Sequence, residues 1–427
     1  MPASAATAQS GPLDAFRRVS QAKSHNDWEA VIAIGRDLPP ELDTDWARVA
    51  DEVAFALGQR KRFAEGTALL IRCWAVGKTH RRASALAYLH YAACFERRAP
   101  RERRPRGGLS RSAGPTNAGA TLEELRQGFR RWMDEALGLC PGSIKDLYRL
   151  GLFEAQIESA HDKLALRAFS AAIAAHDQLS VDERERRHDL KKYHLRSCYA
   201  GARSALRLGQ AKLARRLAFR CIREDQTRNH LEPVHKLGLA GKICLATGEL
   251  DHADRAFRLA LDAKGPPRRD HLHSGVAEVY RRSGRPEQAI DWLERHVRAE
   301  RRSPVIWRQL GDLLHATGNL DRAEKAYQCS LQRDRMGRHL TLVRLGDVAR
   351  ARGRSKEAQR YYEQALEFRR RRFSSEDPAA LARLAQRDEL MRHLLEAGAI
   401  GLLQRLDIVV HGFGVPEEAG IGEDDGT

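Results

Sequence analysis

The sequence predicts an all-α fold, a solenoid of tandem helix-turn-helix hairpins, and three observations carry the prediction. One pattern occurs twice between Ser303 and Arg372: Trp307, Leu310, Gly311, Gly318, Ala323, Tyr327 and Leu331 return as Leu342, Leu345, Gly346, Gly353, Ala358, Tyr362 and Leu366. Gly311 to Gly346 and Ala323 to Ala358 are both 35 residues apart, a period expected of stacked helical hairpins. Weaker copies extend upstream: Gly209, Gly248, Gly284, Gly318 and Gly353 are each followed five residues later by Ala214, Ala253, Ala289, Ala323 and Ala358. Lastly, abundant Ala, Leu and Arg with few β-branched runs favour helix throughout.

Each element of the repeat has a physical reading. Gly311 and Gly346 fall mid-helix, where glycine costs about 1 kcal/mol against alanine, so a neighbouring helix is expected to pass too close for a side chain. Gly318 and Gly353 end the first helix of each pair. Ala323 and Ala358 are placed where the two helices cross, and Tyr327 and Tyr362, four residues on, return to the same buried face. Ser303-Pro304 supplies a hydroxyl cap followed by proline at the first helical position. The spacing resembles that of the tetratricopeptide repeat, with Leu314 and Ala349 where that family often has tyrosine, Ser330 for a small alanine, and no proline closing either repeat. The resemblance implies a right-handed α-solenoid. One hairpin cannot bury its own apolar stripe, so several are expected.

In chain order, residues 1–12 are small and polar and are expected to be disordered. Degenerate helical repeats occupy 13–98, with stripes at Trp28, Val31, Ile32 and Ile34, then Trp46, Val49, Val53 and Leu57, and a further helix from about Arg82 to Glu96. Residues 99–120 are rich in Pro, Gly, Ser and Arg without apolar periodicity and read as a mobile loop. From Glu96 to Arg111, seven arginines face two glutamates. Arg97, Arg98, Arg101, Arg103, Arg104 and Arg106 therefore form a candidate arm for nucleic acid or an acidic partner, the alternative being a tolerated insertion between helices. Thr121 and Glu124 form a capping box opening a second degenerate stretch, 121–194, within which residues 183–192 read as a charged, solvated boundary. Five phased hairpins then fill 195–372, capping helices 373–411, and an acidic disordered tail 412–427.

A formal net charge of +17 points to nucleic acid, acidic protein surfaces or anionic membranes, against the alternative of solvated arginine-rich faces. Seven scattered cysteines without a Cys-x-x-Cys argue against a disulfide framework and a zinc site. With no signal-peptide core and no apolar run long enough to span a bilayer, a cytoplasmic location without membrane contact is expected.

Catalytic and cofactor signatures are absent: no Walker loop, no Gly-x-Gly-x-x-Gly after a strand, no His-Glu-x-x-His. His230, His235, His271 and His273 have no carboxylate at metal-ligand spacing and read as surface or core histidines, so neither metal, cofactor, small-molecule substrate nor enzymatic activity is expected. The resemblance implies a groove lined by the first helix of each hairpin. Its positions here are Arg196, Tyr199, Arg203, His235, Lys242, His271, Glu278, Arg281, Arg282, Arg308, Asp312, His315, Asp347 and Arg350, net positive overall. Such a channel suits an acidic peptide, a C-terminal carboxylate or a phosphate backbone. Tyr199, Arg203, Gly238 and Lys242 do not match the Lys and Asn pattern of the family's chaperone-tail clamp. The alternative is internal pairing, because Glu278, Asp312 and Asp347 recur beside Arg281, Arg308 and Arg350. A non-enzymatic scaffold or adaptor binding a protein partner is expected. A nucleic-acid-associated subunit is the alternative, weakened by the lack of exposed aromatics among the arginines, and a peptide-sensing regulator comes last.

Overall fold

The computed structural model describes residues 11–98, 120–156, 161–226, 230–265, 269–296, 302–334 and 337–373. Among them are nineteen α-helices, one short 3-10 turn and no strand, as the helix-favouring composition requires. The chain divides into two compact units, residues 1–232 and 233–427.

Unit 1 begins with α1 (Pro12–Ser24), α2 (Trp28–Ile34), α3 (Thr44–Gln59), α4 (Phe63–Val76) and α5 (His80–Arg98). It continues with α6 (Leu122–Leu139), α7 (Ile144–Gln156), α8 (Asp162–Asp177), the short α9 (Val181–Arg186), α10 (His188–Arg207) and α11 (Ala211–Glu224). Consecutive helices pair, and aromatic rings fill the spaces between them: Phe129 stacks on Phe153 at 4.0 Å, and Trp74 meets Trp132 edge-on at 5.3 Å. The Thr121 capping box forms as predicted, Glu124 N–H donating to Thr121 Oγ1 at 3.1 Å.

Unit 2 holds four hairpins, α12 (Pro233–Thr247) with α13 (Leu250–Asp262), α14 (Asp270–Arg282) with α15 (Pro286–His296), α16 (Pro304–Ala316) with α17 (Leu320–Arg333), and α18 (Arg338–Ala351) with α19 (Ser355–Phe373). The fifth phased pair, α10 with α11, closes unit 1. All five turn glycines have positive φ, from 72° to 79°. That left-handed geometry lets the chain double back just past the helix end: at Gly318, Asn319 N–H reaches Leu314 O at 2.8 Å. The alanines five residues on are 0–3 % exposed, and Tyr327 and Tyr362 are buried beside them.

Four expectations are refined. What crowds Gly311 and Gly346 is an aromatic ring: a Cβ there would run into Tyr327 and Tyr362, as one at Gly151 would into Phe169. The stretch 183–192 is largely helical, because Ser180 caps α9 with a second capping box and α10 starts at His188. α1 starts at Pro12, inside the stretch expected to be disordered, proline taking its favoured first helical position. α5 extends through Arg98, so Arg97 and Arg98 are helical, whereas Arg101, Arg103, Arg104 and Arg106 lie outside the described residues, as do the capping helices from 374 and the tail. No helix among the described residues is long and apolar enough to cross a membrane.

Candidate partner-binding site

In unit 2 the expected groove residues sit on the first helices of their hairpins, but most of their charge is taken up by neighbours. Glu278 accepts from both Arg281 and Arg282, at 2.6 and 2.8 Å. Burial opposes its ionisation, yet these two guanidiniums hold its carboxyl below the usual glutamate range. Arg308 pairs with Asp334 at 3.1 Å, both side chains largely buried, and not with Asp312. Asp312 accepts the Tyr327 hydroxyl at 2.8 Å and Arg344 Nε at 2.9 Å. One repeat later Asp347 accepts the Tyr362 hydroxyl at 2.7 Å, with Arg350 at 3.9 Å. In the last two hairpins the recurring acid thus anchors the tyrosine that fills the glycine notch, whereas Glu278 is taken up by its two arginines. His315 is partly buried, and His235, Lys242 and His271 are exposed. Desolvation, with Lys242 and His235 nearby, pushes the His271 pKa down.

In unit 1, Arg196 stands beside Tyr148, and Arg203 lies 5.9 Å over the Tyr199 ring. A cleft absent from the sequence-based expectations lies between α3, α5, α7 and α10. It has a volume of about 570 Å³ and is lined by Lys23, Arg81, Lys145, Arg149, Phe55 and Tyr88 among others. Its carboxylates are already committed. Glu52 takes Lys23 at 2.7 Å and Arg81 at 2.5 Å, and Asp51 takes Arg82 at 3.0 Å. Asp146, fully buried, accepts from His80 at 2.8 Å, Ser84 at 2.6 Å and Ser143 at 2.7 Å, with Arg149 at 3.3 Å. Arg149 also lies 4.8 Å over the Tyr88 ring.

Lys145 differs from these cations, since no carboxylate among the described residues stands within ion-pair distance of its ammonium. Burial lowers its pKa, and the adjoining Arg149 pushes in the same direction. An anion entering the cleft would reverse both effects. Lys145 was not singled out from the sequence, because the groove positions were carried over only onto the hairpins from residue 195 onward.

Sequence reasoning also missed the trio His176, Asp177 and His194, the one group among the described residues whose ligand atoms stand close enough to share a metal ion. The expectation that the chain holds no metal covered these residues too, although it was argued from other histidines. Its members are 18 residues apart at most, joined by the short α9, so spacing alone carried no recognisable motif.

The repeat geometry agrees with the comparisons to known proteins. The tetratricopeptide repeat family matches residues 302–371, and a second tetratricopeptide repeat description matches 272–304. Residues 272–371 of the chain carry tetratricopeptide repeats. Similar solved structures include pilF of Pseudomonas aeruginosa, 17% identical, covering 55% of this chain and 93% of that one with a TM-score of 0.38. A thermophilic TPR protein of Thermus thermophilus is 20% identical, covering 48% and 98%, with a TM-score of 0.37. The human IFIT1 dimer with m7Gppp-AAAA is 15% identical, covering 84% and 80%, with a TM-score of 0.41. No curated protein sequence matches the chain.

Proposed function

We propose that this chain is a non-enzymatic scaffold whose unit 1 cleft takes up an acidic, extended segment of a protein partner. The observation that carries the reading is Lys145, a half-buried ammonium without an ion pair among the described residues, facing a cleft whose own carboxylates are saturated. A partner carboxylate there gains a charge-assisted hydrogen bond and restores the favoured charged state of the lysine. Tyr88 and Phe55 supply apolar walls for the flanking side chains. Tetratricopeptide hairpins present such surfaces on rigid, mutually packed helices, which keeps the ordering cost of binding low. The exposed Lys242, His235 and His271 of unit 2 form a second, weaker acidic-segment contact in this reading. A reducing, cytoplasmic setting is supported by seven free cysteines, five of them buried as small packing residues.

A second reading, phosphate-backbone contact, is favoured by one feature of α11. Lys212, Arg215 and Arg216 surround Phe219, which is 45% exposed, with Arg215 5.6 Å over its ring. One ring amid three cations is a minimal stacking platform. Affinity capture with the full chain, with and without nuclease, separates the two: the scaffold reading expects a stoichiometric protein partner that survives nuclease. Loss of all captured protein after nuclease would overturn it in favour of the second reading.

A further inference from the structure

We propose that His176, Asp177 and His194 form a binding site in unit 1 for one divalent transition-metal ion of the zinc class, held between α8 and α10. His176, the penultimate residue of α8, is 5% exposed, and His194, in the second turn of α10, is fully buried. Their rings stack 3.9 Å apart at 16°. Neither ring nitrogen of His176 has a hydrogen-bond partner, and neither does Nδ1 of His194. Three buried nitrogens without a protein partner are unusual in a packed interior, where polar atoms are nearly always satisfied.

The fourth nitrogen explains how the others are presented. Glu224, at the end of α11, stands 2.9 Å from His194 Nε2. A carboxylate can only accept, so Nε2 carries the proton, and in the neutral ring Nδ1 holds the lone pair. A carboxylate behind an imidazole in this way is the support that metal-ligating histidines commonly have, fixing tautomer and ring orientation together. Glu224 is itself held in place by Arg220 Nε, which donates to it at 2.8 Å.

Asp177 completes the set from the solvent side. Its Oδ1 is 3.9 Å from His176 Nδ1, and the ligand atoms of all three residues lie within 4.8 Å of one another. Bonds of about 2.0–2.2 Å to nitrogen and oxygen lie in the imidazole planes and need ligand atoms closer than that, so the two stacked rings turn out of their stack to take the ion. Arg220 bridges Asp177 and Glu224, at 2.5 and 2.8 Å, so the ion shares Asp177 with a guanidinium. Cys198 Sγ, 3.8 Å from His194 Nε2, is not part of the donor set, since burial raises its thiol pKa and keeps it protonated. Two imidazoles and one carboxylate select zinc-class ions over magnesium or calcium, which prefer all-oxygen ligands. The site would tie α8 to α10 where the irregular hairpins meet the first phased one.

The test uses the full chain, dialysed against chelator and titrated with zinc chloride while calorimetry and thermal unfolding are followed. The expected result is about one equivalent of zinc bound, with a midpoint that rises with zinc and not with magnesium. Asp177→Asn and His176→Gln abolish the midpoint rise, and Glu224→Gln weakens zinc binding by about 10- to 100-fold. His273→Gln, in unit 2, leaves it unchanged. Asp177 is exposed, so its variant keeps the test decisive even if the buried His176 variant fails to fold. Absence of zinc uptake by the folded wild-type chain, or uptake equal in wild type and Asp177→Asn, would overturn the proposal.

Discussion

The phased hairpins of unit 2 and the irregular ones of unit 1 use the same helical material differently. Along α14, α16 and α18 the inner-face charges are matched locally: Glu278 with two arginines, Arg308 with Asp334, Asp312 with Arg344 and Tyr327, Asp347 with Tyr362. In the cleft of unit 1 the acids are equally well matched, yet Lys145 has no ion-pair partner among the described residues. Regularity and free charge are therefore found in different places. A position that repeats every 35 residues is held there by packing with its neighbours, whereas a binding group needs to occur only once.

The largest effect that could break this comparison is structural. Tyr327→Ala empties a ring-sized notch above Gly311 and strips Asp312 of a donor, and chemical denaturation should show unit 2 losing about 3–5 kcal/mol. A cost well under that would mean the repeated tyrosine is not what holds the hairpin. Next comes Lys145→Glu, which should weaken the partner's acidic segment by about 10- to 100-fold, since a hydrogen bond to a charged group contributes about 1.5–3 kcal/mol. Binding should also take up protons at alkaline pH, because the anion raises a lysine pKa that burial has lowered. Calorimetry in buffers of different ionisation enthalpy reads that uptake directly.

Smaller effects sharpen the contrast. Gly318→Ala, at φ +78°, should cost about 1–2 kcal/mol through its left-handed backbone alone. Lowering the pH should weaken unit 1 through Glu52 and Asp146. Burial raises both pKa values, but hydrogen bonds and charge from Lys23 and Arg81, or from Ser84, Ser143 and Arg149, more than offset it. Since the folded pKa values lie below the ordinary 4.5 and 3.8, their stabilisation is complete above about pH 4.5 and is lost as pH falls through the lowered values. Acid unfolding of Glu52→Gln should start from a lower stability and show a shallower pH slope. The smallest effect belongs to Arg281→Ala, an exposed partner of Glu278, at about 0–1 kcal/mol.

Much of the fold was legible because glycine and alanine report backbone geometry directly: a glycine at positive φ and an alanine at a helix crossing leave a fixed interval in the sequence. Tyr327 and Tyr362 were legible for the same reason. The groove was less so. Sequence placed Arg308 beside Asp312, but the three-dimensional neighbour of Arg308 is Asp334, at the end of the next helix, and that pairing depends on how α16 and α17 cross. Lys145 and the trio around His176 left no trace, because each draws on three or four helices whose mutual register the irregular N-terminal hairpins do not advertise.

The central claim, that unpaired charge rather than repeat regularity marks the binding surface, is tested most directly by titrating the nuclease-resistant partner against two charge reversals in the full chain. Lys145→Glu should lose about tenfold or more in affinity, while Arg281→Glu, whose charge is already taken up by Glu278, stays within about threefold. Strong loss with Arg281→Glu and none with Lys145→Glu would contradict the account and return the site to the phased groove.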